Sequence, residues 1–139
     1  MTAAAERTLV LLKPDTVRRG LIGEVLSRYE NKGLSIVAMD LRSIDAEVAD
    51  RHYAEHVERD FYPPLRAFVT GGPLVAVVLE GDSAIEVVRA LNGATDGRKA
   101  APGSIRGDLS ISNRENLVHG SDSAESAARE IAIWFPELG

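Results

Sequence analysis

Residues 116–131 read NLVHGSDSAESAAREI, which puts His119 at the end of a short apolar run and directly before the signals that start a helix. A helix N-terminus exposes unpaired N–H groups and the positive end of the macrodipole, so the Gly120-Ser121-Asp122 corner is a natural place for an anion. The same field discourages imidazolium, and a neutral imidazole is the form a nucleophile needs. Ser123, Ser126 and Glu130 fall on one helical face, and helical side chains lean toward the N-terminus, which aims Glu130 back at the histidine. One reading is a nucleophilic histidine oriented by a carboxylate. The other is a histidine packed against a sheet beside a capped helix, a commoner use of these residues. The local sequence leaves both open.

Two further groups could do chemistry. His52-Tyr53-Ala54-Glu55-His56 has the H-x-x-E-H spacing of a zinc helix, but a catalytic zinc needs a third protein ligand, so a solvated helix face is the simpler expectation. Lys13, Arg59, Arg89 and Arg106 lie near the ends of predicted elements. If they converge they make a phosphate clamp, because arginine forks bind phosphate oxygens in pairs and lysine adds a point charge. Singly, each reads as a surface cation. Neither a G-x-x-x-x-G-K-[ST] loop nor a G-x-G-x-x-G loop is present, so any phosphate chemistry here uses other parts.

The elements that must position these residues alternate. Residues 8–13 form an apolar run stopped by Pro14, and residues 21–32 carry Leu21, Val25, Leu26 and Tyr29 at helical spacing up to Gly33. Residues 35–44 read as a strand, 46–56 as a helix, 63–69 as a shorter helix closed by Gly71-Gly72, and 74–80 as a strand. Ser83 and Glu86 have capping-box spacing ahead of a helix that stops near Asn92-Gly93. Residues 94–108 hold three glycines and a proline with no apolar period, which predicts a long ordered loop. Residues 116–119 read as a short strand, and Asp122 with Glu125 as the cap of a helix whose core face carries Ala127, Ile131 and Trp134. The pattern suggests an α+β sandwich of one sheet backed by helices, and periodicity gives no strand order.

Composition bounds the possibilities. At 139 residues, 45% hydrophobic and 27% charged, the chain fits one domain with its own core. With no cysteine, disulfides, thiolate metal sites and cysteine nucleophiles are excluded, and a cytoplasmic setting is the default. No apolar stretch approaches bilayer length, so no membrane span is expected, and no signal-peptide core is evident at the N-terminus. A net charge of -5 argues against a dedicated nucleic-acid surface without forbidding a local anion site.

The stretches ERTLVLLKPD, RGLIGEVLSRYENKGLSIVAM, GPLVAVVLEG, PGSIRGD and NLVHGSDSAESAAREIAIWF resemble those of nucleoside diphosphate kinases, in order and in spacing, from about Glu6 to Phe135. The resemblance implies a single domain over residues 1–139 with a ferredoxin-like βαββαβ fold, an antiparallel sheet with helices and a long nucleotide-side loop. It implies reversible ping-pong transfer of the γ-phosphate from a nucleoside triphosphate to a diphosphate. His119 would be the nucleophile, with Glu130 and Ser121 orienting its ring. Tyr53, Arg89, Thr95 and Arg106 match positions that hold the phosphates. Lys13 matches one that reaches both terminal phosphate and sugar, and Asn116 one that binds the sugar. Phe61, with Leu65 beside it, matches the aromatic on which the base stacks, and stacking tolerates every base. Mg²⁺ would arrive on the nucleotide phosphates rather than in a protein cage.

The same resemblance implies a homo-oligomer, a hexamer in first place and a tetramer in second. It places residues 94–103 beside both the nucleotide and a neighbouring subunit. Asp60 and Gly97 stand where relatives commonly have proline, which is expected to loosen the nucleotide-side loops, and Gly97→Pro is expected to stabilise by roughly 0.4–1 kcal/mol. The chain ends at Gly139 without the longer tail of many eukaryotic relatives, which puts tail-mediated subunit contacts in doubt. A nucleotide-binding regulatory module, a zinc hydrolase built on His52 and His56, and a structural oligomer are the alternatives. Phosphate on His119 and metal analysis separate them.

Overall fold

The structure, a computed structural model, describes residues 5–138. The single unit expected over residues 1–139 therefore includes residues 1–4 and 139, which lie outside the described ones. The elements run β1 (Glu6–Leu12), α1 (Pro14–Arg18), α2 (Ile22–Lys32), β2 (Ser35–Arg42), α3 (Ala46–His52), α4 (Tyr62–Val69), β3 (Leu74–Gly81), α5 (Ala84–Asn92), α6 (Ile105–Leu109), β4 (Val118–Gly120) and α7 (Ala124–Trp134). Single 3-10 turns occupy Ala54–His56 and Pro136–Leu138.

The strands form one sheet in the order β2-β3-β1-β4, and every neighbouring pair is antiparallel. This is the ferredoxin-like arrangement. The two central strands are buried on both faces, so their apolar runs are continuous rather than alternating. Val10, Leu12, Val75, Val77 and Leu79 pack with Val25 and Tyr29 of α2 and Val88 of α5 on one face. Leu9, Leu11, Leu74, Ala76 and Val78 pack with Ile131 and Trp134 of α7 on the other. The sheet is thus covered by helices on both faces.

Several boundaries move for identifiable reasons. Pro14 ends β1 and also opens α1, where its missing N–H costs nothing. The helix expected over 46–56 breaks at Tyr53, and only a 3-10 turn follows. The long loop expected over 94–108 runs into α6 at Ile105, capped by the Ser104 hydroxyl, which accepts the Gly107 N–H at 3.0 Å. Five residues are too few to show a period. Ser83 sits at φ 52° and makes no side-chain cap. The Glu6 carboxylate of β1 accepts the Ile85 N–H at 2.9 Å instead. On α7 the cap is Ser123, one residue after the expected Asp122, accepting from Ser126 N–H at 3.1 Å.

Candidate active site

β4 and α7 carry the imidazole and carboxylate that the sequence aligned. His119 pairs with Leu11 of β1 across the sheet, which fixes its backbone. One turn and a half into α7, Glu130 leans back as helical side chains do, and its Oε1 lies 2.8 Å from His119 Nε2. The Ser121 hydroxyl donates to the same oxygen at 2.7 Å, and Arg129 Nη2 lies 3.6 Å from the other. A carboxylate at Nε2 holds the ring proton there and leaves the lone pair on Nδ1. In its neutral form the half-buried ring is therefore a base or nucleophile with its free nitrogen already selected.

This pair lines a cleft of about 1000 Å³, together with Lys13, Tyr53, Phe61, Leu65, Arg89, Thr95, Arg106 and Asn116. That size matches the upper end of small-molecule sites. Of the site residues drawn from the sequence, Ser121 alone is behind the wall, fully buried under Glu130. Arg59 is exposed on a neighbouring turn and lies outside the lining. Phe61 stands out at the rim, half exposed. Asn116 is locked at the floor. Its Oδ1 accepts from Lys13 Nζ at 2.5 Å, and its Nδ2 donates to the Thr95 carbonyl at 2.9 Å and the Asn113 carbonyl at 3.1 Å.

The cations sit in an environment that wants an anion. Burial, with the charge of Arg106 second, lowers Lys13 to a pKa of about 8, against a smaller opposing pull from Asp15. Burial also lowers Arg106, whose guanidinium donates to the carbonyls of Gly93 at 2.9 Å, Val118 at 2.6 Å and Asn116 at 3.2 Å. Burial and the Glu130 charge raise the Tyr53 phenol, which stays protonated.

His52 is the residue the sequence misplaced. It is buried, not on a solvated face: its ring centroid lies 4.6 Å from that of His119 and 4.6 Å from that of Tyr53, both edge to face. Its Nδ1 accepts the Trp134 indole N–H at 3.0 Å, and burial holds it neutral. A buried tryptophan N–H needs an acceptor, and the Trp134 of the α7 core face was the one available signal. Arg129, which donates to the carbonyls of Arg51 at 3.1 Å and His52 at 3.4 Å, was also missed and ties α3 to α7.

His52, His119 and Glu130 bring three possible metal donors within 4.8 Å of one another. Two imidazoles with one carboxylate do not suit Mg²⁺, which demands oxygen. His56, the other half of the H-x-x-E-H motif, is on the 3-10 turn beyond the end of α3, so the helical i, i+4 geometry of a zinc site is absent.

The loop beside the cleft corrects another expectation. Gly97 is buried, its N–H donates to the Ser112 carbonyl at 3.0 Å, and a Cβ on it would lie 2.4 Å from the Ser110 carbonyl oxygen. The loop is clasped here rather than loosened.

A ferredoxin-like sandwich whose imidazole–carboxylate pair faces a cationic cleft defines a protein that handles phosphorylated small molecules. The model of the nucleoside diphosphate kinase family matches residues 6–138. A nucleoside diphosphate kinase of Nocardioides sp. is 78% identical over 95% of this chain and 98% of its own length, and one of Cutibacterium acnes is 61% identical over 96% of each. Among solved structures, the halophilic nucleoside diphosphate kinase of Halobacterium salinarum, in complex with CDP, superimposes with a TM-score of 0.91 at 49% identity, covering 94% of this chain and 87% of that one. A nucleoside diphosphate kinase family protein from Babesia bovis gives the same TM-score at 45% identity over 95% of this chain and 90% of its own. The chain belongs to the nucleoside diphosphate kinase family.

Proposed function

We propose that this chain moves the terminal phosphate of a nucleoside triphosphate to a nucleoside diphosphate in two half-reactions through a phosphate on His119. The observation that carries the assignment is the 2.8 Å contact between His119 Nε2 and Glu130 Oε1, which leaves Nδ1 as the nucleophile. In the first half-reaction the Nδ1 lone pair forms the N–P bond as the bond from the γ-phosphorus to the β–γ bridging oxygen breaks, and the diphosphate leaves with that electron pair. The imidazole becomes cationic, and Glu130, held by Ser121, stabilises that charge. In the second, a terminal oxygen of another diphosphate attacks the phosphorus and the imidazole leaves neutral.

Positioning and charge neutralisation supply most of the acceleration for so loose a transfer. Lys13, Tyr53, Arg89, Thr95 and Arg106 hold the phosphates, Asn116 and Lys13 the sugar, and Phe61 with Leu65 the base. The CDP in the halobacterial relative fits a site that takes its base by stacking. A nucleotide kinase works with a divalent cation, and Mg²⁺ would enter as part of the substrate, carried on the nucleotide phosphates held by Lys13, Tyr53, Arg89, Thr95 and Arg106, where it would neutralise phosphate charge. No described helix is long and apolar enough to cross a membrane, and we place the enzyme in the cytoplasm with its nucleotides. It assembles as a homo-oligomer, by family likeness a hexamer. Edge strand β2 supports self-association, since it leaves Met39 and Leu41 more than half exposed.

The test is exposure to Mg-ATP labelled in the γ-phosphate, followed by isolation of the protein and a chase with GDP. Acid-labile label should appear on the protein and leave as GTP. His119→Gln should abolish both steps while nucleotide binding and the fold persist. Substantial transfer by the clean variant would sink the assignment.

A further inference from the structure

The Lys13-Pro14-Asp15 segment gives the cleft its lysine and leaves Asp15 without a part in the transfer. Asp15 is nevertheless 1% exposed, and its Oδ1 is buried with no partner. A buried carboxylate half satisfied is costly to keep unless something depends on it. Its other oxygen, Oδ2, accepts the N–H of Leu117 at 3.0 Å, far along the chain.

Leu117 has φ 74°, in the left-handed region that leucine seldom enters. Val118 N–H donates to the Asn116 carbonyl at 2.8 Å, so residues 116–118 close a γ-turn with a positive central φ, a rare and strained form. The surroundings hold the Leu117 polar groups from both sides. Asp15 takes its N–H, and its carbonyl accepts from Lys13 N–H at 2.8 Å and the Thr16 hydroxyl at 2.7 Å. The flanking carbonyls of Asn116 and Val118 both accept from Arg106, and the Asn116 side chain accepts from Lys13 Nζ. The turn therefore sets Asn116, Lys13 and Arg106 relative to one another. His119 is anchored separately, by its pairing with Leu11.

We propose that Asp15 is a positioning residue: by holding the Leu117 N–H it maintains the strained turn at 116–118 that aligns Asn116, Lys13 and Arg106 for the nucleotide. It touches no substrate. The proposal rests on the reading above that these three residues bind nucleotide.

The experiment is steady-state kinetics with Mg-ATP and GDP, alongside denaturant midpoints, for Asp15→Ala, Asp15→Asn, Thr16→Val and Asn116→Ala. Asp15→Ala should raise nucleotide KM about tenfold or more with a much smaller change in kcat, because alignment for binding is lost while His119 stays in place. Asp15→Asn retains an oxygen that accepts the Leu117 N–H and should keep KM within about threefold of the parent. Thr16→Val, which removes only one hold on the Leu117 carbonyl, should raise KM in a folded protein and reports on the turn if Asp15→Ala fails to fold. An unchanged KM in folded Asp15→Ala, or in Thr16→Val in its stead, overturns the proposal. So does Asp15→Asn as impaired as Asp15→Ala, since charge rather than the N–H contact would then matter. If Asn116→Ala raises KM and Asp15→Ala does not, the positioning role fails alone. If Asn116→Ala leaves KM unchanged, the nucleotide-site reading fails and takes the proposal with it.

Discussion

A lysine 7% exposed beside an arginine is an unstable place for a proton, and Lys13 should reveal itself in the pH dependence of the free enzyme. Its pKa of about 8 means that the ammonium is intact below that pH and is lost as pH rises through it. Since kcat/KM reports groups of the free enzyme, its alkaline limb should fall from about pH 8. Stability should move the other way. Between the folded value and the ordinary lysine value of 10.5, the unfolded chain holds more protons at this site, so the Lys13 contribution favours the fold more as pH rises. A profile of kcat/KM flat through pH 9, with denaturant midpoints taken at the same pH values, would refute the assignment. At this scale the sequence was legible where backbone periodicity carries a side chain to its partner. Glu130 reaching His119 follows from helix geometry alone. His52 was illegible because its neighbours, Trp134 and His119, come from the far end of the chain, and a histidine on a short polar helix gives no sign of being buried.

Elements were legible wherever period or punctuation is strong, as in β1, β3, α2, α5 and α7, and failed where a nonlocal group does the work. Glu6 caps α5 from a strand, Asp15 holds a turn across the sheet, and α6 is too short for a pattern. Gly97 belongs with these. Proline at that position looked favourable because relatives tolerate it and because it stiffens the unfolded chain, but both arguments omit the path of this particular loop. Here the Gly97 N–H is in use, and the space for a Cβ is filled by the backbone of Ser110. Gly97→Pro should therefore destabilise, on the order of 1–3 kcal/mol, through overlap and a lost hydrogen bond. Gly97→Ala, which keeps the N–H, should lose less. Denaturant midpoints at fixed protein concentration check both, since unfolding of an oligomer is linked to its dissociation. A proline variant more stable than the parent would mean that the segment 94–103 runs differently from its path here.

For the whole molecule, the sheet order sets the candidate active site at one edge and an exposed apolar strand at the other. β4, with His119, closes one edge, and β2 forms the other. Neither fact was readable from a single sequence, because strand order is set by long-range pairing and not by local period. β2 has the features of an edge that expects company: it carries Met39 at 52% and Leu41 at 59% exposure, two residues apart and so on one side of the strand. Proteins that must keep such an edge single place charge on it, lysine above all. Leu41→Lys should accordingly weaken self-association without touching the cleft, whose lining includes no residue of β2. Sedimentation velocity should show a smaller species than the parent, and the denaturant midpoint should lose its dependence on protein concentration. Phosphate uptake by His119 should survive in the smaller species. If Leu41→Lys sediments like the parent, assembly runs through another face, and Ile111, 86% exposed on the loop beside the nucleotide cleft, becomes the contact to mutate.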